Sequence, residues 1–459
     1  MGSKIKLTTA LILVISLFVP NAAFANAAPV YLERYPSFNM APMDDCPIRV
    51  ERENLTFKIT ERSASEANVT ATYTLLNASA ETINVPMIFP FVSDGYGGIG
   101  AEIKFNGQAL DYEIFIAGSV DVRDYLGNPE AFNQQVEIDK IINNLNEPLY
   151  EPQYFDDNAR ATLYEVTFKP PTERQSQISF NLDTEKTRVL TFGFSGFSIN
   201  ENGDCTVSTY VGDRDLERTC YLLVLGKDSL NILSNAYDDV LARSSVNAKE
   251  FIMHNLTNNE HFWLDDNRNI ENFYAMFIKE IDRSFEEWQL VSSESMVMEQ
   301  IFNLNNISVL LYEVEFEADS INEMRLTYPM SATLDKTKTM DYVNTFAYIL
   351  NPAKKFSGFG GIDIRIELNS ESPYIIESSM PLREDNRGIY TTSLDRLPDQ
   401  DLVFSTYPKK EVTFIDSTAA QILPQGYGGM FAGLVAAGLF FSAIVMTTYL
   451  VVKRKRKSN

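Results

Sequence analysis

Leu55-Thr-Phe57-Lys-Ile59-Thr60 and Val69-Thr-Ala71-Thr-Tyr73-Thr-Leu75 alternate apolar and polar side chains at every step. Successive side chains of a strand point to opposite faces, so this period means one buried face and one wet face, the pattern of a sandwich strand. The alternation continues outward through Ala101-Glu-Ile103-Lys-Phe105-Asn-Gly107 and Tyr112-Glu-Ile114-Phe-Ile116. Further strands are expected over 161–168, 176–182, 189–194, 206–211 and 221–225, and again over 311–316, 324–328, 342–350, 362–368 and 402–407.

Helical spacing interrupts the strands. Asn128-Pro129-Glu130 reads as an N-cap with proline in the first turn, followed by Phe132, Val136, Ile141, Ile142 and Leu145 up to Pro148. Leu230, Leu233, Tyr237, Val240 and Leu241 make a second amphipathic face. Ile270, Phe273, Tyr274, Phe277, Ile278, Ile281 and Phe285 make a stronger third. The expected fold is mainly β: β-sandwich modules with helical insertions, α+β overall, plus one transmembrane helix.

The chain ends set its expected topology. Lys4 and Lys6 precede an apolar run from Leu11 to Val19, and Ala23-Phe-Ala25 offers a cleavage site, so residues 1–25 read as a secretory signal peptide. From Met430 to Val452 no residue is charged, and Lys453-Arg-Lys-Arg-Lys457 follows. A bilayer core takes roughly 20 helical residues to cross, and flanking basic residues face the cytoplasm. The expected organisation is a signal peptide (1–25), an N-terminal β-sandwich (26–126), a helix plus β-module (127–226), a helical insertion (227–305), a second β-module (306–410), a stalk (411–429), the membrane helix (430–452) and a basic cytoplasmic tail (453–459). That is a single-pass type I protein of the cell membrane with an extracellular ectodomain.

The two β-modules read as copies. Leu163-Tyr-Glu-Val-Thr-Phe168 matches Leu311-Tyr-Glu-Val-Glu-Phe316, and Phe194-Ser-Gly-Phe197 matches Phe356-Ser-Gly-Phe359 in the same order. On this reading Tyr164, Val166, Phe168 and Tyr312, Val314, Phe316 face inward, while Glu165 and Glu313 face out.

The chain carries a net charge of −23; without Lys4, Lys6 and the five basic tail residues the ectodomain stands at −30. Such a surface disfavours nucleic acid. Three cysteines remain after the signal. In an exported chain Cys205 and Cys220, on strand-like runs around a polar segment, are the expected disulfide, leaving Cys46 over. The sequons are Asn54, Asn68, Asn77, Asn255 and Asn306.

Catalytic patterns are thin. Gly95-Tyr-Gly97-Gly98-Ile-Gly100 has dinucleotide-fingerprint spacing, but a strand is expected after it where that motif needs a helix. The two histidines, His254 and His261, fit neither a zinc pattern nor a triad, and Gly193-Phe-Ser195-Gly196-Phe197 departs from the nucleophile elbow at its last position. Asp265, Asn267 and Asn269 put oxygens at alternate positions, as calcium prefers, yet Ile270 stands where an EF-hand needs glycine; N-capping of the following helix explains the same residues. No cofactor is expected.

Ala71-Thr-Tyr-Thr-Leu-Leu-Asn77, Val85-Pro-Met-Ile-Phe89-Pro90-Phe91 and Glu102-Ile-Lys-Phe-Asn106-Gly107 resemble the vault/inter-alpha-trypsin type of extracellular β-domain over residues 54–107. The resemblance implies a β-sandwich suited to protein contacts and carries over no site residues. The integrin-like D-x-S-x-S domain usual in that family is absent from the sequence. The expected function is therefore non-enzymatic: binding, adhesion, sensing or an accessory role beside a membrane partner. The alternative is an exported carboxylate-dependent hydrolase of glycosidase type, since 62 acidic residues always offer pairs.

Overall fold

The computed structural model describes residues 31–32, 35–94, 99–120, 135–168, 176–183, 187–200, 204–210, 217–235, 240–258, 265–288, 291–414 and 416–417. The signal peptide, the expected helix start from Asn128 to Phe132, the stalk beyond 417, the membrane span at 430–452, the basic tail and His261 lie outside them. Among the described residues no helix is long and apolar enough to cross a membrane.

The chain is mainly β, with four helices among the described residues. Short strands β1 (Tyr31–Leu32), β2 (Ser37–Phe38) and β3 (Ala41–Pro42) lead to the long β4 (Ile48–Ile59), β5 (Glu66–Asn77) and β6 (Ile83–Asp94). After these come β7 (Glu102–Phe105), β8 (Gln108–Ala109), β9 (Glu113–Ser119) and helix α1 (Ile138–Asn146). The middle of the chain holds β10 (Arg160–Phe168), β11 (Ser176–Asn181), β12 (Thr187–Phe192), β13 (Gly196–Ile199), β14 (Asp204–Thr209), β15 (Arg218–Gly226), β16 (Asn231–Asn235) and β17 (Val240–Asn247). Helices α2 (Ala248–Thr257) and α3 (Ile270–Trp288), strand β18 (Val291–Ser293) and helix α4 (Glu294–Asn303) follow. The last part contains β19 (Asn305–Phe316), β20 (Ser320–Ser331), β21 (Thr333–Asp335), β22 (Val343–Ile349), β23 (Ile362–Glu367), β24 (Tyr374–Ser378), β25 (Arg383–Asn386), β26 (Ile389–Leu394) and β27 (Leu402–Tyr407).

Two sandwiches result. The first draws on both ends of the described chain: a ten-stranded sheet running β1-β21-β22-β2-β6-β19-β9 with β3, β24 and β27 attached, and an eight-stranded sheet running β25-β26-β23-β4-β5-β20-β7-β8. The segments 26–126 and 306–410 thus interlock: β5 pairs with β20 from Asn77↔Ser320 to Glu66↔Ser331, and β6 with β19 from Asp94↔Asn305 to Ile83↔Phe316. The alternation in β5 puts Val69, Ala71, Tyr73 and Leu75 in one buried core with Phe57, Phe89, Leu326 and Tyr328. Burying a side chain of this size stabilises by about 1.5–3 kcal/mol, so register is strongly specified along these strands.

Turn chemistry matches the sequence. Asn106 and Gly107 both take positive φ, 50° and 80°, the type I′ geometry that closes a two-residue hairpin between β7 and β8. Gly360 lies so close to β4 that a Cβ there would sit 2.3 Å from the Glu51 carbonyl oxygen. Its missing side chain lets the segment entering β23 lie parallel to β4.

The second sandwich is the middle of the chain, a five-stranded sheet β17-β10-β15-β12-β18 facing a four-stranded sheet β13-β14-β11-β16. Val166, Phe168, Ile178, Phe180, Val207 and Leu222 fill the space between them. The five-stranded sheet is buried on both faces: Leu163, Leu190, Phe192 and Leu223 point the other way, into α2, α3 and α4. Helix α1 covers the outer face of the ten-stranded sheet through Ile138, Ile141 and Ile142.

Two expectations change. Of the stretch Leu230 to Leu241, read as a helix face, 231–235 form β16 and 240–241 open β17, while Tyr237 lies outside the described residues; β17 pairs with β10 along eight residues, from Arg160↔Asn247 to Thr167↔Val240. Tertiary pairing outweighs the helical spacing of a few leucines. Cys205 and Cys220 are free thiols, not a bridge. The two strands that carry them do not pair with each other: β14 lies in the four-stranded sheet and β15 in the five-stranded one.

Tyr164, Val166, Phe168, Tyr312, Val314 and Phe316 are all buried, and Glu165 and Glu313 are exposed. The strands β10 and β19 are each paired on both sides, one place in from the edge of their sheets. Their neighbours differ in origin: β15 and β17 follow β10 in the chain, whereas β6 and β9 precede β19.

Candidate binding groove

The wet face of the eight-stranded sheet carries a groove of about 720 Å³. Its floor is set by register. The parallel pair β4–β23 places Asn54 beside Asp363 and Thr56 beside Arg365, and the antiparallel pair β23–β26 adds Ser393 and Thr391. Two rows therefore cross the sheet, Asn54–Asp363–Ser393 and Thr56–Arg365–Thr391, the second extended by Arg383 of β25. Pro381 and Leu382 form an apolar wall.

The charges here are already paired. Arg52 donates from Nε and Nη2 to the two carboxylate oxygens of Asp363 at 2.6 and 2.5 Å, and from Nη2 to Ser393 Oγ at 2.6 Å. These bonds hold the Asp363 carboxyl below its usual range. Arg365 Nε donates to Glu367 at 2.7 Å, and Arg383 Nε to Asp385 at 2.8 Å. The Asp385 carboxyl is lowered as well, chiefly by the hydroxyl of Thr391 at 2.6 Å and next by Arg383. The groove also presents the Asn54 amide and the Thr56 hydroxyl, beside the hydroxyls of Thr391 and Ser393 that already bond Asp385 and Arg52.

Beneath this face a polar ring is sealed in the core. Asn39 Nδ2 donates to Glu53 Oε2 at 2.9 Å, Tyr73 Oη donates to Asn39 Oδ1 at 2.6 Å, Tyr73 and Tyr348 hydroxyls are 3.2 Å apart, and Tyr348 Oη lies 3.4 Å from Glu53 Oε1. All four residues are fully buried. Burial raises the Glu53 carboxyl to about 7, against the lowering effect of its hydrogen bonds. A protonated Glu53 closes the ring in one sense: Glu53 donates to Tyr348, Tyr348 to Tyr73, Tyr73 to Asn39, and Asn39 back to Glu53. An ionised Glu53 accepts the hydrogen bond that Tyr348 donates, and the tyrosine pair is left without a donor between them.

Sequence-nominated residues serve locally. Asp265 Oδ1 accepts from the Asn267 amide at 3.0 Å, and Asn269 Oδ1 caps α3 by accepting from Asn272 N at 3.0 Å. His254 is exposed on α2, bonded to Asn258. Gly95, Gly97 and Gly98 lie outside the described residues, and the chain after Gly100 enters strand β7. No cluster of three or more metal-ligating side chains occurs among the described residues. Asp282 and Asp401 are also raised by burial, but the first accepts from Tyr150 Oη at 2.9 Å and Gln153 N at 2.6 Å, and the second from Leu350 N at 2.9 Å. The groove escaped sequence reading because its rows join segments more than 300 positions apart.

No family model matches the chain, and no curated protein matches it. Among solved structures it is similar to a protein of Legionella pneumophila subsp. pneumophila described as a candidate nutrient binding protein. The TM-score is 0.35 at 7% identity, covering 82% of this chain and 72% of that one, a likeness too distant to carry fold or function across.

Proposed function

We propose that this chain is a single-pass surface protein that binds a neutral, hydroxyl-rich ligand, an oligosaccharide, in the groove over β4, β23 and β26, and performs no chemistry on it. The observation that supports this reading is the internal pairing of every groove charge, Arg52 with Asp363, Arg365 with Glu367 and Arg383 with Asp385. A charged ligand would compete with those pairs, whereas a neutral polyol meets Asn54, Thr56, Thr391 and Ser393 with hydrogen bonds and Leu382 with apolar contact and leaves them in place. Hydrolysis of a glycoside asks for two carboxyls across the sugar, one of them raised. Among the described residues the groove is lined by one carboxylate, Asp363, held low by Arg52, and the raised Glu53 is sealed away.

The test is a neutral-oligosaccharide array probed with the full chain in detergent, beside Asn54→Arg and Thr391→Phe, which fill the groove from its wet face. Binding that both variants lose supports the proposal. Absence of neutral ligands, or variants that bind as well as the parent, overturns it.

A further inference from the structure

One end of the first sandwich is built differently from the rest of an acidic ectodomain. It consists of the turn between β21 and β22, residues 336–342, and the chain leaving β27, residues 408–417; the pairs Asp335↔Val343 and Asn344↔Thr406 bring the two together. Phe414 stands 83% exposed there, with Val412 and Tyr342 also exposed at 38% and 37%. Phe414 is not on a frayed end. Asp416 accepts from Thr413 N at 3.1 Å and from Thr413 Oγ1 at 2.7 Å, and Lys409 binds Asp416 while lying 3.6 Å from Asp341. That closed turn holds the ring outward. Lys336 lies 4.9 Å over the Tyr342 ring and Lys410 lies 5.8 Å over Tyr374.

Aromatic rings beside lysines are the composition of a membrane interface, where the ring body enters the headgroup layer and the ammonium meets phosphate. Lysines equal acids in number across 335–342 and 407–417, within an ectodomain of −30, so this end is repelled by lipid phosphate less than the ectodomain as a whole. Only twelve residues separate Ser417 from the apolar segment expected to span the membrane from Met430. Even fully extended they reach about 40 Å.

We infer that this end rests on the phospholipid surface of the bilayer that anchors the chain, with Phe414 and Val412 in the headgroup layer and Lys336 and Lys410 on lipid phosphates. The inference relies on the anchoring proposed above. It goes further in fixing which end of the ectodomain faces lipid, and so leaves the groove's sheet face turned along the membrane.

The experiment reconstitutes the full chain in nanodiscs of phosphatidylcholine with brominated acyl chains, as Phe414→Trp and as Ile321→Trp. Ile321 is 69% exposed and sits at the opposite end of β20 from this tip. Trp263 and Trp288 contribute the same background to both. Bromine should remove roughly half of the emission added by Phe414→Trp and none of that added by Ile321→Trp. Equal fractional loss of the added emission to bromine in the two variants, in loaded nanodiscs, overturns this inference alone. A chain that enters no nanodisc overturns the anchoring and this inference together.

Discussion

Asn39 donates to the Glu53 carboxyl across 2.9 Å at the centre of the first sandwich, where neither residue reaches solvent. Burial holds that carboxyl at about 7, above its value in an unfolded chain. The folded state therefore keeps a proton that the unfolded state has released, and stability falls as pH rises from about 4.5 to 7. Over that window the loss amounts to about 3 kcal/mol; below it both states are protonated, and above it both are ionised. Glu53→Gln keeps a neutral donor toward Tyr348 and an acceptor for Asn39 and has no proton to lose. Urea unfolding of parent and variant at pH 5, 6 and 7 should give curves that diverge, with the parent weakening relative to Glu53→Gln. Parallel curves would show that Glu53 does not titrate in this range.

The sandwich was legible wherever a strand had two unlike faces. Leu55, Phe57 and Ile59 face in and Asn54, Thr56 and Lys58 do not, as the alternation requires. Glu53 was the signal passed over: it occupies an inward slot of that same alternation, where only a paired or neutral carboxyl survives. The groove had a signal too, in the polar halves of β4, β23 and β26, but nothing local says that β23 lies parallel to β4. Arg52 and Asp363 are 311 positions apart, and Arg52 and Ser393 are 341 apart. Leu230 to Leu241 misled because a short apolar spacing fits helix and strand alike, and the partner strand β10 decides.

Burial pushes Cys205 up to about 12 and Cys220 up to about 11, and it raises Cys46 as well. The thiolate is the reactive form, so thiols of this kind are inert while the fold is intact. A maleimide at pH 7 should label the native protein slowly and only at half-buried Cys46, and label all three in denaturant. Native labelling of Cys205 or Cys220, or an unreduced peptide pair joining them, would contradict the free, buried assignment.

Arg268 is 9% exposed, and its Nε, Nη1 and Nη2 have no hydrogen-bond partner among the described residues. Its Cζ lies 5.5 Å from the Phe273 ring centre, and burial lowers its pKa against the pull of Asp265. A buried cation without a hydrogen-bonded partner is a cost that an apolar side chain of similar volume avoids. Arg268→Met should stabilise the protein by about 1–3 kcal/mol, read as a higher urea midpoint. A lower midpoint would mean that the guanidinium holds an anion in solution.

The five sequons occupy unlike places, and the difference is testable in any host that glycosylates. Asn54 and Asn68 are exposed on the wet face of the eight-stranded sheet, and Asn255 is half-buried on α2 with its amide bonded to Phe251 O. Asn77 and Asn306 are buried. The Asn77 amide donates to the carbonyls of Glu81, Phe316 and Glu317 at 3.0, 3.3 and 2.8 Å, and its oxygen accepts from Ser79 N. A glycan on that nitrogen would break this set and force a large polar group into the core, so a chain modified there should not fold. Site-resolved mass spectrometry of the exported, folded protein should find glycans at Asn54 and Asn68 and none at Asn77 or Asn306. Asn54 lines the groove, and a sugar attached to it would occupy the space a free oligosaccharide needs. The glycosylated protein should therefore lose neutral-oligosaccharide binding, and Asn54→Gln should restore it, since its amide keeps a hydrogen-bonding group there without the attachment. Glycan on Asn77 or Asn306 in folded material would refute the burial. Undiminished binding with Asn54 fully modified would place the ligand elsewhere.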